Sequence, residues 1–174
     1  MASHLLLWVL RHAKAEPERP GSQGSDHDRV LTPRGLTQAG ELRDLMAARL
    51  ASGLPVPELI LCSSATRTRQ TAEKLADALP HAKLRVEPGL YGASPADVVA
   101  QLHLCDAGVT GLMVVGHNPT VHTLVWNLTG DERLTAGYAT ATLATIGFLG
   151  VSWGELRDGS GSLEDLWTPS RSSA

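Results

Sequence analysis

Leu5-Leu6-Leu7-Trp8-Val9-Leu10-Arg11-His12-Ala13-Lys14 is the stretch on which the fold turns. Six consecutive apolar residues are short for a helix and read as a strand buried on both faces. The run stops on a guanidinium and an imidazole. A strand buried on both faces needs helices above and below it, so strands and helices should alternate downstream.

They do. After a polar loop from Lys14 to Arg29, Thr32 can cap a helix with Pro33 at its first position, and Leu42, Leu45, Met46 and Leu50 share one face. Gly53 ends that helix, and Glu58–Cys62 reads as a second strand. Ala72, Leu75, Ala76 and Leu79 mark a helix over 65–79, stopped by Pro80. Lys83–Val86 reads as a short strand. Ser94-Pro95-Ala96-Asp97 reads as a capped helix start. Leu112–Val115 is another buried strand, and Asn118-Pro119 open a helix that Gly130 closes. Ala141–Phe148 and Val151–Leu156 are expected to be strands joined at Leu149-Gly150. The expected fold is a three-layer α/β/α sandwich whose central sheet is mostly parallel with at least one antiparallel strand. One domain over residues 1–169 and a frayed tail at 170–174 are expected.

The chain has 174 residues, 43% of them AVILMFWYC, which is enough for one core of its own. Fifteen Lys and Arg against 18 Asp and Glu give a net charge of −3, which speaks against nucleic-acid and membrane-surface binding. Leu5–Leu10 lacks a preceding basic segment and is shorter than the apolar region of a signal peptide; no stretch reaches the roughly 18 apolar residues of a membrane span. Cys62 and Cys105 are too few for a disulfide framework, so a cytoplasmic setting is expected.

In an open α/β sheet, ligands collect past the carboxyl ends of the strands. Those ends carry Arg11-His12-Ala13-Lys14, then Ser63-Ser64 with Arg67 in the following helical turn, then Gly116-His117-Asn118-Pro119. Two planar guanidinium forks suit the oxygens of a phosphoryl group. Amides at the helix starts near Arg67 and Pro119 add anion donors. A neutral imidazole beside them can attack phosphorus, and phosphoryl transfer needs little beyond positioning and charge stabilisation. The set calls for no metal and no cofactor. Lys14, Ser63, Arg29 and Arg34 are the expected substrate-binding residues, with Arg19 a further candidate in the same long loop as Arg29.

These residues also carry a resemblance. Arg11-His12-Ala13 is similar to the Arg-His-Gly motif of the histidine phosphatase superfamily, with alanine in place of its glycine. Ser63, Arg67, Gln70, Thr71 and Ala72 match its Ser-x-x-x-Arg-x-x-Gln-Thr-Ala pattern. Val114-Val115-Gly116-His117 matches the strand before its second histidine, and Leu31-Thr32-Pro33-Arg34-Gly35 with Gln38-Ala39 matches its first helix. The resemblance implies a covalent mechanism: His12 takes the phosphoryl group and loses it to water, Arg11 and Arg67 clamp the oxygens, and His117 donates a hydrogen bond to them.

Mutase and ester-phosphatase branches of that family carry a glutamate that protonates an alcohol leaving group. The corresponding segment, Leu90-Tyr91-Gly92-Ala93-Ser94, has no carboxylate; Glu87 and Asp97 are the nearest. An alkoxide is a poor leaving group, whereas imidazole, with a pKa of about 6.5, leaves readily once protonated by solvent. The missing acid therefore favours phosphohistidine as substrate, and the chain is similar to the small SixA-type phosphohistidine phosphatases. The expected partner is a phosphorylated protein or a small phosphorylated metabolite. The alternatives are an ester phosphatase or mutase with Glu87 as acid, or a non-catalytic phosphate-binding module.

Other readings have less behind them. His4, His27, His81 and His103 lack charged company and read as surface residues. His122 lies five positions past His117, off its helical face. A zinc site from His12, His117 and Cys62 has no ligand spacing behind it. No nucleophile elbow surrounds Ser63 or Ser64.

Overall fold

The protein is described by a computed structural model over residues 4–18 and 25–170. The expected layers are present. β1 (His4–Arg11), β2 (Leu59–Ser63), β3 (Lys83–Glu87), β4 (Gly111–Gly116), β5 (Leu143–Leu149) and β6 (Ser162–Trp167) form one sheet in the order β3-β2-β4-β1-β5-β6. Strands β1 to β4 pair in parallel, and β5 runs antiparallel to both β1 and β6.

Alternation along β1 explains the layers. Leu5, Leu7 and Val9 face a core closed by α3 (Pro95–His103) and α4 (Thr120–Thr129), through Val98, Leu102, Val121 and Leu124. Leu6, Trp8 and Leu10 face the opposite core, closed by α1 (Pro33–Ala51) and α2 (Thr66–Ala76), through Leu42, Met46, Ala72 and Leu75. All six apolar residues of β1 are buried, and at roughly 1.5–3 kcal/mol for a large apolar side chain this strand is a major anchor of the sheet.

Local signals set the helix starts. Thr32 caps α1, its Oγ1 accepting from the Gly35 amide at 3.0 Å. Ser94 caps α3 in a reciprocal box with Asp97. Gly35 is needed for another reason: a Cβ there would run into the Lys14 carbonyl, so α1 can pack against the segment after β1 only without a side chain at this position. Gly130 closes α4 in the left-handed region, at φ 63°.

Two expectations are corrected. Residues 151–156 are not a strand. Ser152 and Glu155 form a reciprocal cap around a short 3-10 turn over Trp153–Glu155, and the buried Trp153 indole donates to the Val109 carbonyl at 2.7 Å. The antiparallel partner of β5 is instead Ser162–Trp167, whose central Glu164-Asp165 pair hides its strand character. Strand β5 itself starts at Leu143 rather than Ala141. Ala141 sits at φ 61°, with its amide shared between the Arg11 and His12 carbonyls at 3.1 Å each. Of the expected tail, Ser170 is bonded to Glu41 at 2.7 and 2.9 Å; the rest lies outside the described residues. No helix of the described residues is long and apolar enough to cross a membrane.

Candidate active site

Three parallel strands deliver the candidate residues to one edge. Arg11 ends β1 opposite Gly116 at the end of β4, and the His12 amide donates to the Gly116 carbonyl at 3.1 Å. Ser63 ends β2, and Arg67 follows in the first turn of α2. The structure thereby brings His12 and His117 together, with ring centroids 5.3 Å apart and the ring planes tilted by 58°. Arg11 and Arg67 lie near enough that both depress the His12 pKa.

His12 is 8% exposed, and its Nδ1 lies 2.7 Å from the Ala13 carbonyl. A carbonyl only accepts, so Nδ1 carries the proton and Nε2 keeps its lone pair. Burial, chiefly, and then the charges of Arg67, Arg11 and Arg29 push the pKa down to about 4, against the raising effect of the Ala13 bond. His12 is therefore a neutral imidazole with Nε2 available as a nucleophile.

His117 is also neutral: burial first, then His12 and Arg67, push it down to about 3. Its Nε2 lies 2.8 Å from Ser63 Oγ. When the hydroxyl donates, the imidazole proton sits on Nδ1, a buried atom with no protein partner. Ser63, expected to touch substrate, is fully buried and orients His117 instead.

Arg11 donates from Nη1 to the Tyr138 carbonyl at 2.8 Å, the carbonyl that Asn118 Nδ2 also reaches at 2.8 Å. Tyr138 is buried and donates its hydroxyl to the Val9 carbonyl at 2.5 Å, so the tyrosine pins this segment to β1. The Nε atoms of Arg11 and Arg67 are buried without acceptors. Together with His117 Nδ1 they form a cationic, donor-rich set suited to an oxyanion.

The residues around Arg67 have scaffold roles. Thr71 Oγ1 accepts from the Ala13 amide at 3.1 Å and donates to the Arg67 carbonyl at 2.7 Å, tying the segment after β1 to α2. Gln70 Oε1 accepts from the Leu31 amide and Gln38 Oε1 from the Lys14 amide, both at 2.8 Å.

Sequence reasoning missed Asp26, His27 and Tyr91. Asp26 takes up the Arg67 fork: Nη1 donates to its backbone carbonyl at 2.6 Å and Nη2 to its carboxylate at 3.0 Å. Tyr91 Oη donates to the same carboxylate at 2.8 Å. Burial raises the Asp26 pKa, but hydrogen bonds from Tyr91, Arg29 and Arg67 outweigh it and hold Asp26 well below the ordinary carboxylate range. That bond to Asp26 in turn raises Tyr91. His27, read as a plain surface residue, packs edge-on against Tyr91 and reaches Ser64 Oγ at 3.0 Å. The pattern Ser25-x-x-Asp28 in a long loop rich in titratable residues was the available signal.

Of the other candidates, Arg29 sits beside the site, bound to Asp26 at 2.7 Å and to the Glu16 carbonyl at 2.7 Å. Lys14 and Arg34 line a different cavity, and Arg19 lies outside the described residues. A cavity of about 210 Å³ opens next to His117, walled by Leu90, Ala93, Val98, Pro119 and Val121, with no carboxylate in its lining. Glu87 is engaged by Arg85, and Asp97 caps α3. Cys62 is buried and its thiol is pushed up to about 12 by desolvation, which makes it inert.

A family profile described as the histidine phosphatase superfamily (branch 1) matches residues 7–94. An uncharacterized protein of Mycobacterium tuberculosis is 35% identical over 169 residues, covering 92% of this chain and 99% of its own. A second, from Mycobacterium leprae, is 31% identical over 149 residues, covering 81% and 88%. A structure described as a candidate phosphohistidine phosphatase SixA from Agrobacterium tumefaciens is 29% identical with a TM-score of 0.79, over 95% of this chain and 98% of its own. The corresponding Nakamurella multipartitia structure is 28% identical with a TM-score of 0.78, over 97% and 98%.

Proposed function

The chain belongs to branch 1 of the histidine phosphatase superfamily, and from that premise we propose that it is a phosphatase that removes the phosphoryl group from phosphohistidine in a protein, through a covalent intermediate on His12. The observation that carries the mechanism is the fixed tautomer of His12, with Nδ1–H held by the Ala13 carbonyl and Nε2 left free.

In the first step His12 Nε2 forms a bond to phosphorus and the substrate's P–N bond breaks, the departing imidazole taking its proton from solvent. In the second, a water oxygen bonds to phosphorus, the P–Nε2 bond breaks, and the water's protons pass to phosphate and solvent. Arg11 and Arg67 bind the equatorial oxygens and His117 Nδ1–H donates to them. As phosphate arrives, the Asp26 carboxylate gives up its place on Arg67 and keeps Arg29 and Tyr91.

The substrate class rests on the leaving-group side. Asp26 is the carboxylate in contact with the site, and its surroundings keep it ionised, a poor proton donor. A general acid contributes about 10²- to 10⁴-fold. Phosphohistidine, needing no such acid, is therefore expected to exceed a sugar phosphate in kcat/KM by about 10²-fold or more, measured side by side. Equal turnover of both would favour the ester-phosphatase reading.

The pH profile follows from His12. The attacking form is unprotonated, and its lowered pKa keeps that form populated into acid. With 4-nitrophenyl phosphate, whose phenolate leaves unaided, kcat/KM of the free enzyme corrected for substrate ionisation is expected to stay level on acidification to about pH 5 and to fall near the His12 pKa of about 4. A break at the ordinary histidine value, about 6.5, would contradict a desolvated nucleophile.

A further inference from the structure

The carboxyl edge of the sheet carries a second cavity, of about 540 Å³, over β1, β5 and β6. Lys14, Arg34 and Arg133 line it, with Gln38, Thr140 and Thr142 between them. Lys14 and Arg34 have no carboxylate within ion-pair distance among the described residues. Arg133 is held by Asp131 at 2.9 Å and by the Leu163 carbonyl at 2.6 Å, which fixes its position. Helix α1 begins beside Lys14 with no acidic residue in its first turn, so its positive end adds to the same potential.

An independent feature also points to a polar ligand. Thr142 is 1% exposed and lines the cavity, yet its buried Oγ1 has no hydrogen-bond partner. Buried hydroxyls are ordinarily paired, so an unpaired one at the wall of a cationic cavity is a donor suited to an anion.

The wall of the cavity is hydrogen-bonded to the phosphoryl site. The Arg11 amide donates to the Thr142 carbonyl at 3.1 Å, and Gly137 and Ala139, in the cavity wall, flank the Tyr138 whose carbonyl holds the Arg11 guanidinium. We propose that this cavity binds a second anionic group, carboxylate or phosphate, of the same substrate molecule whose phosphoryl group His12 attacks; the inference rests on the phosphatase reading above. From β1 to β6 is two strand spacings, about 10 Å. An extended peptide advances about 3.3–3.6 Å per residue, so an acidic side chain about three residues from a phosphohistidine matches that span. A second phosphate on a small molecule of similar length offers the same chemistry.

The test uses the full chain and phosphoramidate as reference substrate. Two phosphohistidine peptides, one with Asp three residues from the phosphorylated histidine and one with Asn there, are compared with phosphoramidate and with a sugar bisphosphate and its monophosphate. The acidic peptide is expected to exceed the neutral one in kcat/KM by about tenfold or more, mainly through KM, as for a charge-assisted contact. Lys14→Gln with Arg34→Gln should reduce that ratio to about twofold or less, and Thr142→Val should narrow it without removing a charge. A preference confined to the bisphosphate, abolished by the same variants, also supports the cavity and assigns it to a metabolite. Phosphoramidate turnover with no discrimination in either pair overturns the second site; no phosphoramidate turnover at all counts against the phosphatase reading itself.

Discussion

Replacing His12 by asparagine is expected to abolish turnover, lowering kcat/KM by about 10⁴-fold or more, the scale on which removal of a covalent nucleophile acts. Asparagine is close to imidazole in size and keeps a donor for the Ala13 carbonyl, so the backbone after β1 has no reason to move. Arg11, Arg67 and His117 remain, so inorganic phosphate should still bind within a few-fold of the parent, as read by calorimetry. Activity within tenfold of the parent would place the nucleophile elsewhere, with His117, 5.3 Å away between ring centroids, the next residue to examine.

Arg67→Ala is the second large effect, expected to lower kcat by about 10²- to 10³-fold, as loss of a transition-state donor does. The side chain is 5% exposed, so its charge acts in a medium where it is poorly screened. Arg67→Lys separates charge from geometry: a lysine restores a positive charge but not the two-pronged fork, and is expected to recover only part of the loss. The substitution has a structural side as well, because Asp26 loses two of its contacts. Thermal unfolding of both variants measures that side; a melting temperature that falls while kcat stays near the parent would make Arg67 a support for the 25–29 segment rather than a phosphate ligand.

The parts of this site that were legible in the sequence are those that short-range rules control. LLLWVL is apolar throughout and short for a helix, so it reads as a doubly buried strand with Arg11 and His12 at its carboxyl end, and the same logic placed Ser63 and His117. Ser94 and Thr32 announced their helices because a cap is a local hydrogen bond. What escaped depends on contacts distant in the chain. Asp26 lies 41 positions from the Arg67 it binds and 65 from Tyr91, and no spacing rule connects them. Tyr91 carries no local signal, because its role comes from a bond to a carboxylate in a distant loop. Residues 151–156 have strand-like composition, but the Ser152–Glu155 cap and the burial of Trp153 override it, while β6 hides its pairing behind two carboxylates. Ser63 lies at the end of β2 with its hydroxyl on His117, a contact no local pattern announces, since whether a serine faces ligand or a neighbouring imidazole is decided by packing.

The central claim is that phosphate is carried on His12 Nε2 between two half-reactions. Rapid quenching after brief exposure to labelled phosphohistidine protein, followed by peptide mapping, measures it directly. The expected result is a label that is stable in alkali, lost in acid and confined to the peptide containing His12, and that is absent from His12→Asn. An acid-stable label on Ser63 or Ser64, or full turnover with no phosphorylated enzyme at any quench time, would contradict it.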